Sequence, residues 1–309
     1  SHSVFYPRGD KKQGRMKIQF MQLYIYFALI VFLINGTNEN CFCQSTNDYA
    51  EEESKLLQKL LDSNQYDEVL KIAESIALTA EKNDIRLSVS SYYAGVAAFK
   101  KRKFKDSIKF LQNYRSSVRV SSFDEMAEFY WAANLIQLDY KVPALRALDK
   151  LIKKYEYSYF YPDVIYNKAS VLFSLNKFDE SIKNLQKLDS YHLDSDLKIR
   201  IHLLKGKSLI KLSRFAESEA EFLNAKISSQ KLDKSYLDEA SSYLVKVSGL
   251  QYRWDDSLLY YKEFKQGFTT SIHALNASAF VLVSMEQMDR IDQGIEDFEG
   301  ILITLRLPF

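Results

Sequence analysis

The strongest candidate for phosphate chemistry is Lys205-Gly206-Lys207-Ser208. A phosphate-binding loop needs a further glycine five residues before Gly206, so that backbone amides can converge on the phosphates, and Ile201 stands there instead. Nucleophilic and metal chemistry fare no better. His192, His202 and His273 are scattered without ligand spacing, and no Gly-x-Ser-x-Gly elbow occurs. Cys41 and Cys43 are the only cysteines, too few for a structural zinc, which takes four ligands. Acid-base work could be sought at the carboxylate pairs Asp67-Glu68, Asp179-Glu180 and Asp255-Asp256. They recur along the chain, each at the predicted start of a helix, where negative charge complements the helix dipole. No catalytic, cofactor or metal site is expected.

Two further clusters could recognise a partner. Lys100, Lys101, Arg102, Lys103 and Lys105 fall at a predicted inter-helix turn and read as a solvated turn or as a contact for phosphate or an acidic protein. Tyr155, Tyr157, Tyr159, Phe160, Tyr161 and Pro162 read either as a recognition surface or as packing at a junction.

The elements that position these groups come from repetition. The phrases NQYDEVLKIAESI, RKFKDSIKFLQNY, NKFDESIKNLQKL, SRFAESEAEFLNA and YRWDDSLLYYKEF align without gaps on Tyr66, Phe104, Phe178, Phe215 and Trp254. A hidden copy at Lys141 and a weaker one at Ile291 make steps of 37 to 39 residues throughout. Three residues after each marker comes a mostly small residue: Val69, Ser107, Ala144, Ser181, Ser218, Ser257 and Gly294. Apolar residues at helical spacing follow, such as Ile108, Leu111 and Tyr114. Nine residues before the marker lies a second small site, at Gly95, Ala132, Ala169, Gly206 and, larger, Val245, inside another helical face. Each unit is therefore predicted to be two helices with small residues on their facing sides.

This grammar resembles the tetratricopeptide repeat. The resemblance implies an all-α solenoid of stacked antiparallel helix pairs in a right-handed superhelix, with about six to seven repeats over residues 44–300. The copies depart from the family in running longer than about 34 residues, in preferring Ser to Ala at the small site of the second helix and in lacking a proline between units. Stacking would line a concave groove with the first helix of each pair. The predicted groove residues are Tyr92, Phe129, Tyr166 and Leu203, three before the small sites, and Val96, Ala133, Ser170, Lys207 and Lys246, one after them. An aromatic end shading into a basic one suits a peptide segment or partner protein, while packing between repeats explains the aromatics equally well. Family members that clamp a terminal carboxylate use Lys and Asn at set groove sites, which Tyr92 and Val96 do not match.

Composition is consistent with a helical protein: 47% hydrophobic, 27% charged, with 9 Gly and 4 Pro among 309 residues, too few for turn-rich β architectures. A net charge of +2 gives no general attraction to nucleic acid. Residues 20–34, FMQLYIYFALIVFLI, form an apolar run preceded by Met16-Lys17, so residues 16–43 read as a signal peptide or membrane anchor and residues 1–15 as a leader ahead of the natural start. Small residues before Gln44 suit cleavage there; a retained anchor and a lipoprotein are the alternatives, and membrane contact is expected only through this segment. The chain is accordingly expected to be exported, in the periplasm or cell envelope. Residues 301–309, ILITLRLPF, alternate like a strand and are expected to be a cap over the last repeat or a tail. Three functions remain: an interaction scaffold in envelope assembly, an anchored sensor ectodomain, and, with no positive motif, an enzyme using the groove as a cleft.

Overall fold

The computed structural model describes residues 39–81, 84–118, 120–229 and 234–305; of the segments read as leader (1–15) and as signal peptide or anchor (16–43), all but residues 39–43 lie outside them. Among the described residues there are fourteen helices and no strand. The chain divides after Asp139 into two compact units. The first holds α1 (Glu39–Asp62), α2 (Tyr66–Thr79), α3 (Ile85–Lys100), α4 (Phe104–Ser116) and α5 (Ser121–Gln137). The second holds α6 (Lys141–Lys154), α7 (Tyr161–Ser174), α8 (Phe178–Gln186), α9 (Ser195–Lys211), α10 (Phe215–Ser229), α11 (Lys234–Leu250), α12 (Trp254–Phe268), α13 (Ala274–Gln287) and α14 (Ile291–Thr304).

All seven sequence markers are the first residues of the second helices. The turn before each one has a single form. A residue two positions earlier has positive φ: Asn64, Arg102, Asp139, Asn176, Ser213, Tyr252 and Asp289. The left-handed residue reverses the chain and lets the next amide reach back into the preceding helix, as in Lys103 N–H to Ala98 O and Arg214 N–H to Leu209 O, both 2.9 Å. This is a Schellman ending. It satisfies carbonyls that a helix end would otherwise orphan.

Helices within a pair then meet at the small sites. A Cβ built on Gly95 would stand 2.7 Å from the Leu111 side chain, and one on Gly206 would meet the Phe222 ring at 2.7 to 3.0 Å. Val69, Ser107, Ala144, Ser181, Ser218 and Ser257 are fully buried. Around these contacts the cores form: Leu57, Val89, Leu111 and Tyr114 in unit 1, and Ile165, Leu185, Leu197 and Ile201 as one of the clusters in unit 2.

α1 starts at Glu39 and runs through Cys41 and Cys43. At the other end, Ile301–Thr304 continues α14. Ile301 is buried in the last core cluster and Leu305 packs against it, whereas Ile303 faces solvent. Among the described residues no helix is long and apolar enough to cross a membrane.

Candidate functional site

In unit 2 the first helices α7, α9, α11 and α13 lie side by side, so residues one repeat apart form rows across them. The row six residues before the small sites is Asp163, Arg200, Glu239, with charges alternating in sign. Arg200 is almost wholly buried. Its Nη2 lies 3.8 Å from Asp163 Oδ1, and its Nε donates to Asp196 Oδ2 at 2.9 Å. The same guanidinium stands 4.7 Å over the Tyr166 ring, while Tyr236 donates its hydroxyl to the other oxygen of Asp196 at 2.7 Å. Lys207 pairs with Glu239 and lies 5.5 Å from the centre of the Tyr243 ring.

Burial sets the protonation of this network. It pushes the Asp163 carboxyl up to about 6 against the pull of Arg200, and it raises the Tyr166 phenol. Burial also pulls the Lys207 ammonium down, but Glu239 with Tyr243 and Tyr166 more than offsets this and holds it above the usual lysine range. Lys246 differs: burial first, and then the like charge of Lys211, lower it.

The predicted groove residues divide by depth. Tyr92 is 8% exposed and stacks face to face on Phe123 at 4.5 Å. Val96, Ala133 and Leu203 are likewise buried, so these four shape the face without presenting side chains on it. Phe129, edge-on to Tyr130 at 5.9 Å, is half-buried, as are Tyr166, Ser170, Lys207 and Lys246. Sequence reading missed Asp163, Asp196, Arg200, Tyr236 and Glu239. The recurrence of charge at one register in three successive copies was the signal that could have found the row.

The other motifs resolve into local structure. Gly206 is needed for the close approach of Phe222. The three carboxylate pairs lie in the first turns of α2, α8 and α12. Lys101 of the basic run pairs with Asp67, and Arg102 forms the left-handed turn. His202 Nδ1 lies 2.6 Å from Glu221, and His273 lies 4.0 Å from Asp238. Among the described residues no group of three or more His, Cys, Asp or Glu could hold a metal. In the tyrosine segment, Tyr161 stacks on Tyr191 at 5.7 Å, but Tyr157 and Tyr159 are 97% and 88% exposed.

The C-terminal part of a TPR repeat-containing protein from Cytophaga hutchinsonii superimposes with a TM-score of 0.62 at 10% identity, over 80% of this chain and 95% of that one. This chain has the tetratricopeptide-repeat fold. RapI in its apo form gives a TM-score of 0.62 at 14% identity, over 93% of this chain and 82% of that one. A Rap protein complexed with Competence and Sporulation Factor gives 0.52 at 12% identity, over 83% and 76%. No protein-family model and no curated protein matches the sequence. Within the tetratricopeptide fold this chain keeps the small-site contacts but spaces its second helices 37 to 39 residues apart.

Proposed function

We propose that the protein is a non-enzymatic interaction scaffold that binds a peptide segment or partner protein along the face of its first helices. One observation carries this reading. The α7–α9–α11 face concentrates half-buried charge and aromatic rings in registered rows, where a solvated helix face has no need to bury an arginine and a carboxyl. The fold supports it, since a Rap protein of this fold was solved with Competence and Sporulation Factor. Export to the cell envelope is part of the proposal and rests on the apolar run of residues 20–34.

The test is affinity capture from an envelope fraction with two variants of one surface residue, Ser170→Trp and Ser170→Arg, which block its row without removing a core side chain. Loss of the same partner from both, with melting unchanged, is the expected result. A partner retained by both would place binding elsewhere on the molecule. Fractionation of cells expressing the chain with and without residues 16–43 tests export separately.

A further inference from the structure

Lys246 is the one cation of the predicted groove set that the face leaves uncompensated. Its neighbour one repeat back, Lys207, has Glu239. Among the described residues Lys246 has neither hydrogen bond nor ion pair; its Nζ stands 4.6 Å over the Phe280 ring of α13. Lys211, exposed at the end of α9, adds like charge to it. A half-buried ammonium over an aromatic face gains from the ring quadrupole, but far less than from a carboxylate at hydrogen-bond distance. Beside it, Val283 occupies the same row on α13 and is 54% exposed, so an apolar strip adjoins the positive end.

We propose that the α9–α11–α13 part of this face takes an acidic segment of the partner, with a side-chain carboxylate on Lys246 and Lys211 and a following apolar side chain on Phe280 and Val283. This rests on the scaffold reading and names the partner's chemistry. Charge complementarity selects the occupant: a basic segment would meet two lysines, and an uncharged one would leave Lys246 as it is. Binding would also return the depressed Lys246 ammonium toward the ordinary range, since a carboxylate favours its charged form.

The experiment pans a random-peptide library, displayed with its C-termini fused so that only side-chain carboxylates are offered, on the full chain. Expected is enrichment of peptides with Asp or Glu preceding an apolar residue. Their affinity should fall about tenfold in Lys246→Gln and further with Lys211→Gln, hold in Lys246→Arg, and stay unchanged in the control Lys262→Gln. Melting of each variant separates lost binding from lost fold, and NMR titration of the Lys246 side chain should show its pKa rising with an enriched peptide bound. Enriched peptides without acid, or acidic peptides indifferent to Lys246→Gln, would overturn this inference and leave the scaffold reading standing. No enrichment at all would overturn peptide binding itself.

Discussion

Ser218 donates its hydroxyl to the backbone carbonyl of Gly206 at 2.8 Å, twelve residues back and across the helix pair. Ser107 to Gly95, Ser181 to Ala169 and Ser257 to Val245 repeat the bond at 2.7 to 2.9 Å, all buried. This accounts for serine where the resemblance led one to expect alanine: the small site both permits close approach and fastens the two helices together. Ser218→Ala should therefore destabilise by about 0.5 to 1 kcal/mol, the lost bond being partly offset by the better helix propensity of alanine. Ser107→Ala should cost more, about 1 to 3 kcal/mol, because Ser107 Oγ also accepts from the Asn134 side-chain amide at 2.7 Å, and the substitution strands one N–H of that amide while its nitrogen keeps the bond to Tyr130 O at 2.8 Å. Denaturant melts of the two variants check the ranking, and equal losses would show that the Asn134 bond adds nothing.

The inter-helix turns invite a change in the opposite direction. Arg102 holds φ 60° at an exposed position, a conformation that costs an L-residue with a long side chain about 1 to 2 kcal/mol. Arg102→Gly keeps the reach of Lys103 N–H back to Ala98 O while removing the steric cost. It should raise stability by about 1 kcal/mol, read as a higher denaturation midpoint with unchanged slope.

These turns also show where sequence reading stopped. The helix starts were legible because an aromatic or apolar marker must cover the pair, so the spacing of Tyr66, Phe104 and Phe178 is the spacing of the fold. The left-handed residues were not, because none is glycine and Arg102, Ser213 and Tyr252 carry no turn signal of their own. Register named the face that Tyr92 and Tyr166 belong to, but not their depth. That is decided by what arrives from the next helix, Phe123 over Tyr92 and Arg200 over Tyr166. Lys207 was found as a basic groove residue, yet its partner Glu239 sits on the neighbouring repeat at another register, outside any local motif.

Glu53 on α1 sets a pH dependence. Its Oε2 is buried and has no hydrogen-bond partner among the described residues, and burial raises the carboxyl from an ordinary 4.5 to about 7, with Arg86 pulling it down and Asp84 pushing it up. Arg86 itself is held by Asp84, to which Nε and Nη2 donate at 3.0 and 2.6 Å. Since the folded state keeps this proton longer than the unfolded chain, stability falls as pH rises through the window from 4.5 to about 7, and the cost is fully present above it. Glu53→Gln removes the titration. The variant should melt above the parent at about pH 8 and close to it at about pH 4. Parallel pH profiles for the two proteins would show that Glu53 is not the source.

The last helix offers a paired test at its C-terminal end. Were ILITLRLPF to alternate as a strand, Ile303 and Leu305 would share one face. Because residues 301–304 are helical, Ile301 turns inward instead, 4% exposed among Tyr261, Val281 and Met285, while Ile303 is 64% exposed. Leu305 lies one helical turn after Ile301 and packs against the same cluster. Ile301→Ala should then cost about 2 to 5 kcal/mol through the lost burial and the cavity it leaves. Ile303→Ser should stay within about 0.5 kcal/mol, as a surface change does. Thermal melts of the two variants against the parent decide it: comparable losses would mean that the segment covers the core through Ile303 after all, and two neutral outcomes would mean that the end of α14 contributes nothing to the last unit.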